Sequence, residues 1–112
     1  LNGSDDEVAN VLIDLARQET GPRSEALANA LLEMIGDVGA PLSNKRQKKA
    51  GFSVLKSADI PSVLIEVGFL SSPRDRANLL DPEWRNLIVS ALVQAIIAWK
   101  ADDLATRPLV RQ

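Results

Sequence analysis

The carboxylate of Glu66 stands out because of the residues around it. It follows a run of three large aliphatic residues at 63–65 and precedes the Val-Gly-Phe stretch at 67–69. Such a run is typical of a strand covered on both faces, so Glu66 is predicted to be buried near the carboxyl end of a strand. Ligand crevices form at that end of strands in open α/β sheets, and a buried carboxyl group can take up and return a proton near neutral pH. The pattern indicates a catalytic acid or base.

A structural role for Glu66 is the alternative. Glutamate is seldom buried without a partner, and the side chains of Lys56 and Arg74 are both candidates for an ion pair with it. Glu66 could equally accept hydrogen bonds from loop amides. Position alone leaves both interpretations open.

Histidine and cysteine are absent from all 112 residues. A Ser-His-Asp triad, a Cys-His dyad and an ordinary zinc site each need an imidazole or a thiolate, so none can be complete in this chain. The net charge of -2 offers no basic surplus for neutralising phosphates. No apolar run reaches the roughly 20 residues that span a bilayer. We therefore expect neither a nucleic-acid partner nor a membrane span. Any catalysis is expected to use carboxylates, lysines or groups supplied from elsewhere.

The elements that position Glu66 are predicted to form an α/β fold. Residues 51–55 and 60–69 are predicted strands. Amphipathic patterns predict helices from Ser4 to about Gln18, from about 23 to 36, from 73 to about 80, and from 82 to about 103, with Gly21-Pro22 separating the first two. Helices of this design usually cover a sheet, which indicates a mixed sheet flanked by helices, with two strands and four to five helices in this chain. Two strands alone are marginally stable, so either more strands lie outside this chain or the helices pack mainly on each other.

Two short stretches refine this organisation. Ser72 is a predicted helix cap, with Pro73 at the first helical position and Asp75 near the positive helix end. The stretch at 37–49 is a predicted exposed loop that ends in a basic cluster, formed by Lys45, Arg46, Lys48 and Lys49. The cluster is either a solvated turn or an anion-contacting rim beside a site.

The amino-acid sequences of two stretches resemble those of a known family. AGFSVLK at 50–56 and DIPSVLIEVGFLSSP at 59–73 closely resemble the end of zinc-dependent N-acetylmuramoyl-L-alanine amidases of the cell-separation type (AmiA, AmiB and AmiC; the Amidase_3 family). The resemblance extends through residues 78–80 and the last helix, and less distinctively back to 11–16. It implies that residues 1–112 are the C-terminal portion of a single amidase domain. The family usually has Ser-Asn where this chain has Ser71-Ser72, and serine can also cap the following helix.

The resemblance implies a mixed α/β fold that holds one zinc ion through His, Glu and His, with a second Glu as acid/base. Residue by residue, that second Glu corresponds to Glu66, in the strand pair at 51–70. Zinc would polarise the amide carbonyl and activate water, while Glu66 takes a proton and passes one to the leaving amine. The bond cut would join muramic acid to the L-alanine of the stem peptide in periplasmic peptidoglycan. The zinc ligands belong to the upstream half of the domain, so this chain supplies no metal ligand and needs that half as a partner.

The resemblance also implies a means of regulation. In division-associated members, a helix inserted before the final section can plug the zinc cleft until a LytM-type activator removes it. Residues 1–20 are therefore a possible regulatory helix, on which Glu7, Asp14 or Glu19 could reach a metal, whereas 82–103 form a closing helix. Ordinary packing is the alternative for the first helix. For the whole chain, the alternatives are a noncatalytic helical interaction module and an inactive amidase remnant.

Overall fold

A computed structural model describes the backbone of residues 3–39 and 59–111, and the side chains of 7–39 and 59–106. Three helices occur in these ranges: α1 (Gly3–Asp37), α2 (Pro73–Leu80) and α3 (Pro82–Arg111). No strand is present anywhere in the described ranges. The predicted α/β class with a mixed sheet is therefore wrong, and the described architecture is helical. The predicted strand at 51–55 and the basic cluster at 45–49 lie outside the described residues.

Residues 61–69, here called the Glu66 segment, contain neither helix nor strand. A strand needs amide and carbonyl partners on a neighbouring strand, and amides at both ends of this segment pair with side chains instead. The amide of Ser62 donates to the hydroxyl of Ser24 in α1 over 2.9 Å, and the amide of Phe69 donates to the carboxylate of Asp75 in α2 over 3.0 Å. The aliphatic run is thus held between helices.

Helix α1 is continuous through Gly21-Pro22, where two separate helices are predicted from the sequence. The φ angle of proline is compatible with a helix, but Pro22 removes one amide donor and crowds the preceding turn, a cost of about 3 kcal/mol. Contacts with α3 immediately after the proline offset this cost. The indole N–H of Trp99 donates to the carbonyl of Arg23 over 3.0 Å, and the Arg23 guanidinium makes two bonds of 2.7 and 2.9 Å to Asp103.

The hydrophobic core lies between α1 and α3. Its centre is formed by Leu27 and Leu31 of α1 and by Ala95 of α3, with exposed fractions of 9%, 4% and 0%. Partly buried residues that pack against this centre are Ala30, Met34, Val63, Leu92 and Trp99. The predicted apolar faces of these two helical regions are confirmed. The expectation that the closing helix packs on a sheet is wrong, because α3 packs on α1.

The N-terminal part of α1 carries a stripe of apolar side chains that remain largely exposed, namely Val8, Val11, Leu12 and Leu15, each 55–61% exposed. Helix α3 extends beyond the predicted end at 103 and reaches Arg111. No helix in the described part of the chain has both the length and the apolar character that crossing a membrane requires.

Candidate functional site

Glu66 lies near the middle of the Glu66 segment and is exposed to solvent. The prediction that it is buried is wrong because its neighbours are not covered either: Ile65 is 37% exposed and Val67 is 45% exposed. Among the described residues, no hydrogen bond or ion pair involves the Glu66 carboxylate. Its oxygens are consequently accessible to water or to a substrate.

The structural alternative for Glu66 depends on a cationic partner. Of the two candidates, Arg74 contacts a different carboxylate, with its Nε atom 3.3 Å from Oδ1 of Asp75. Lys56 lies outside the described residues. The described residues therefore contain no ion pair between Glu66 and Arg74, and the choice between a structural and a catalytic role stays a prediction.

Two anchors hold the backbone on either side of Glu66. On the N-terminal side, the Ser62 amide is bound by Ser24 of α1, and Val63 packs against the core. On the C-terminal side, the Phe69 amide is bound by the buried carboxylate of Asp75. Glu66 lies four residues after the first anchored amide and three residues before the second. The three helices thus determine the backbone position of this residue without contacting its carboxylate.

The C-terminal anchor is a closed set of hydrogen bonds around the start of α2. The amide of Ser72 donates to the Phe69 carbonyl over 3.0 Å, the amide of Asp75 donates to the Ser72 hydroxyl over 3.2 Å, and Asp75 in turn accepts from the Phe69 amide. The predicted cap at Ser72, the proline at the first turn and the acidic residue at the helix start are all confirmed. Together they tie the end of the Glu66 segment to α2.

Gly68 allows the close approach between the Glu66 segment and α2. A Cβ atom at position 68 would lie 3.1 Å from Cβ and 3.4 Å from Cγ of Asp75. The first distance is shorter than ordinary van der Waals contact, so a side chain at this position would require Asp75 or the Glu66 segment to shift by a few tenths of an ångström.

The residues present do not fit the zinc site that the family implies. The whole chain contains no histidine and no cysteine. Among the described residues, no group of three or more acidic side chains could hold a metal ion. Within the described part of the chain, Glu66 therefore belongs to no metal-binding group.

A surface cleft of about 350 Å³ lies between α1 and the start of the Glu66 segment. Its walls are Ala16, Glu19, Thr20 and Arg23 of α1 together with residues 59–61. Glu66 does not line this cleft, so the cleft and the predicted catalytic residue are separate features.

The sequence pattern singles out Glu66 but not the residues that anchor its segment. From the sequence alone, Asp75 is interpreted only as a helix-start residue, and Ser24 is not singled out. For Asp75 a signal existed: Ser72 already caps the helix, which leaves the Asp75 carboxylate available for a second task. For Ser24 no local pattern gives a signal, because its partner is 38 residues away.

Comparison with known proteins decides the family. Residues 3–98, which include the Glu66 segment and most of α3, match the Amidase_3 family, described as N-acetylmuramoyl-L-alanine amidase. The chain belongs to this family. The resemblance carried by residues 50–73 is thereby confirmed at the level of the family.

Individual relatives agree with this membership. The chain is 33% identical over 89 residues to N-acetylmuramoyl-L-alanine amidase AmiA of Escherichia coli K12, covering 80% of the chain and 30% of AmiA. It is 29% identical over 95 residues to AmiC of Escherichia coli O6:H1, covering 85% of the chain and 22% of AmiC. It is 32% identical over 74 residues to the probable cell wall amidase LytH of Staphylococcus epidermidis ATCC 12228, covering 66% of the chain and 25% of LytH. The chain thus spans less than a third of each relative. No solved structure matches the chain.

Proposed function

We propose that this chain contributes the catalytic acid/base, Glu66, to a peptidoglycan hydrolase. The reaction is hydrolysis of the amide bond between N-acetylmuramic acid and the L-alanine of the stem peptide. The observation that carries the proposal is the family match over residues 3–98, in which Glu66 lies within the PSVLIEVGF stretch. The carboxylate of Glu66 is exposed and has no partner among the described residues, which supports the proposal because a proton-transfer group must reach water and substrate.

The proposed role of Glu66 is proton transfer in both halves of the reaction. Its carboxylate accepts a proton from the attacking water while the water oxygen bonds to the amide carbonyl carbon. The same group then donates a proton to the L-alanine nitrogen as the carbon–nitrogen bond breaks. The products are a free muramoyl carboxylic acid and a stem peptide with a free amino terminus, and Glu66 returns to its starting state.

Zinc enters this proposal only with ligands from residues other than these 112. The chain has no histidine or cysteine, and its described carboxylates form no metal-binding group. When bound, zinc supplies electrophilic activation of water and of the amide carbonyl. The upstream half of an amidase domain is the expected source of its ligands.

The proposed setting is cell-wall remodelling and daughter-cell separation in the periplasm of a Gram-negative envelope. A LytM-type activator is the proposed partner, and residues 1–20, whose helical part belongs to α1, are the proposed regulatory region. The carboxylates of Glu7 and Asp14 are exposed on this part of α1. They are therefore accessible to a metal or a partner surface.

The alternative from another class is a noncatalytic helical interaction module or an inactive remnant of an amidase. Absence of zinc ligands from the residues upstream of Leu1 in the natural polypeptide would favour this alternative. It predicts a protein that binds peptidoglycan or a partner protein without cutting the wall.

Product analysis distinguishes the two functions. The complete natural polypeptide that carries these residues should be incubated with purified peptidoglycan, and the released fragments identified by mass spectrometry. The hydrolase proposal predicts stem peptides that begin with a free L-alanine amine, together with glycan strands that carry free lactyl carboxylates. Cleavage within the glycan or within the peptide, or no cleavage even with zinc and activator present, would contradict it.

A further inference from the structure

We infer that Asp75 is a positioning residue for Glu66, acting through the backbone of Gly68 and Phe69. This inference depends on the proposed function, since it assigns Asp75 a part in the same reaction. Asp75 does not touch the reacting groups. It determines where the chain that carries Glu66 is held.

The Asp75 carboxylate does not bond to the amide of the residue that caps its own helix. Asp75 is the third residue of α2, where an acidic side chain in a capping box would accept the amide hydrogen of the cap residue, Ser72. In this structure the Ser72 amide donates to the Phe69 carbonyl instead. The Asp75 carboxylate accepts from the Phe69 amide, three residues further upstream, at 3.0 Å.

Helix capping does not account for this arrangement. The Ser72 hydroxyl already accepts the Asp75 amide and so caps α2. Asp75 is nevertheless only 9% exposed, and a carboxylate is costly to bury unless its oxygens are paired. Both oxygens have partners: Oδ2 accepts from Phe69, and Oδ1 accepts from the exposed Arg74 at 3.3 Å. The buried carboxylate thus has a function in holding the Glu66 segment.

Glu66 lies close in sequence to the amide that Asp75 binds. Only two residues separate Glu66 from the bound Phe69 amide, and at one of them, Gly68, a Cβ atom would lie 3.1 Å from Cβ of Asp75. The neighbouring aliphatic side chains are substantially exposed, so burial on the described residues does little to restrain the segment here. Loss of the Asp75 carboxylate would therefore free the Phe69 amide and weaken the C-terminal anchor, while Ser24 still held the N-terminal one.

The test is a double-mutant cycle in the complete natural polypeptide, with turnover measured on purified peptidoglycan. Asp75→Ala is expected to lower kcat by about 10- to 100-fold with KM changed less than about twofold, because misplacement of a catalytic group affects the transition state most. Asp75→Asn retains an oxygen that can accept from the Phe69 amide, and should restore most of the activity. Asp102→Ala, which removes an exposed carboxylate of α3, is the matched control and should leave kcat unchanged.

The cycle with Glu66 separates positioning from general stability. If Asp75 acts only through Glu66, Asp75→Ala should change the residual turnover of a Glu66→Gln enzyme by less than about twofold. An equal loss in both backgrounds would mean a purely structural role and would overturn the inference. Normal turnover in Asp75→Ala beside a strong loss in Glu66→Gln would overturn the inference and leave the proposed function intact. Normal turnover in Glu66→Gln would instead overturn the proposed function itself.

A second variant keeps the inference testable if Asp75→Ala does not fold. Asp75→Ser retains a polar group, but its side chain is too short to reach the Phe69 amide, and it should show the same loss of kcat. Wild-type kcat in this variant would contradict the inference. Amide hydrogen exchange at Phe69 should also be faster in Asp75→Ser than in Asp75→Asn, and equal exchange rates would count against the inference.

Discussion

The indole N–H of Trp99 in α3 donates a 3.0 Å hydrogen bond to the backbone carbonyl of Arg23 in α1. Arg23 follows Pro22 directly, so α3 binds α1 at the helical turn that the proline weakens. The guanidinium of Arg23 reaches Asp103, one helical turn further along α3 from Trp99, with bonds of 2.7 and 2.9 Å. Three polar bonds therefore support the continuous path of α1 beside the hydrophobic core.

Replacing Trp99 with phenylalanine should destabilise the fold by removing the indole donor. A typical hydrogen bond contributes about 1 kcal/mol, so Trp99→Phe should lower the free energy of unfolding by about 1 kcal/mol more than a matched change elsewhere. Trp84→Phe is that match, since Trp84 is partly buried and no hydrogen bond of its indole is found among the described residues. Urea unfolding followed by circular dichroism measures both variants. Equal losses would show that the bond to Arg23 contributes nothing.

The ion pair between Arg23 and Asp103 should contribute stability that salt screens only weakly. Its side chains are 18% and 9% exposed, and hydrogen bonds to charged groups contribute about 2 kcal/mol. Asp103→Asn should therefore lower the free energy of unfolding by about 2 kcal/mol at both low and high salt. Asp102→Asn, on the exposed side of the same helix, should change it by less than about 0.5 kcal/mol. A loss that disappears in high salt would contradict this assignment.

The pH dependence of that pair follows from the arginine. The hydrogen bond to Asp103 raises the pKa of the Arg23 guanidinium above its usual value, against the opposing effect of burial. A group whose pKa is raised on folding contributes stability that is fully present below its unfolded pKa and is lost only as pH rises through its folded pKa. The arginine contribution should consequently be constant between about pH 7 and about pH 9. Unfolding experiments measure the difference in the free energy of unfolding between the wild type and Asp103→Asn. A steady decline of this difference between about pH 7 and about pH 9 would refute this expectation.

The core between α1 and α3 should depend strongly on Leu31. Its side chain is 4% exposed and packs in the same cluster as Ala95. Leu31→Ala removes apolar contacts and leaves a cavity, so it should cost about 2 to 5 kcal/mol. Leu12→Ala, at a site 61% exposed on the same helix, is the matched control and should cost less than about 0.5 kcal/mol. Thermal unfolding ranks the two variants, and similar losses would contradict the described core.

The proposed regulatory region makes a prediction about basal activity. If carboxylates of the N-terminal part of α1 occupy a metal in the resting enzyme, Glu7→Ala and Asp14→Ala should raise turnover of the complete polypeptide in the absence of an activator. Glu33→Ala, in the C-terminal part of α1, is the control. Turnover that stays at the wild-type level in both variants would refute autoinhibition by these side chains.

Local features of this fold could be predicted from the sequence, whereas features that depend on distant residues could not. The predicted start of α2 depends on Ser72, Pro73 and Asp75, which lie within four residues of one another. This prediction is confirmed. The predicted strand at 60–69 is wrong because a run of aliphatic residues does not specify its hydrogen-bond partners, which here are side chains of Ser24 and Asp75. The predicted helix break at Pro22 is wrong for a similar reason. The α3 residues that bind Arg23, namely Trp99 and Asp103, lie 76 and 80 residues away from it in sequence.

In the candidate site too, some features could be predicted from the local sequence and others could not. Glu66 could be proposed as the acid/base because the PSVLIEVGF stretch around it resembles a family to which the comparisons assign the chain, and its role stays a prediction. Its predicted burial is wrong, because burial depends on what covers a segment, and the described helices leave its neighbours exposed. The carboxylate of Asp75 could be assigned to a helix start from its position, but its reach to the Phe69 amide requires the folded geometry.

The role of Glu66 is tested most directly by the turnover of a Glu66→Gln enzyme. In the complete polypeptide on purified peptidoglycan, this change removes the proton carrier without altering the size of the side chain. General acid–base catalysis contributes about 10²- to 10⁴-fold, so kcat should fall by at least about 100-fold, while zinc content by elemental analysis stays equal to the wild type. Glu33→Gln, an exposed change on α1, should leave kcat unchanged. Near-normal turnover in Glu66→Gln would contradict the account, as would a loss explained by missing zinc.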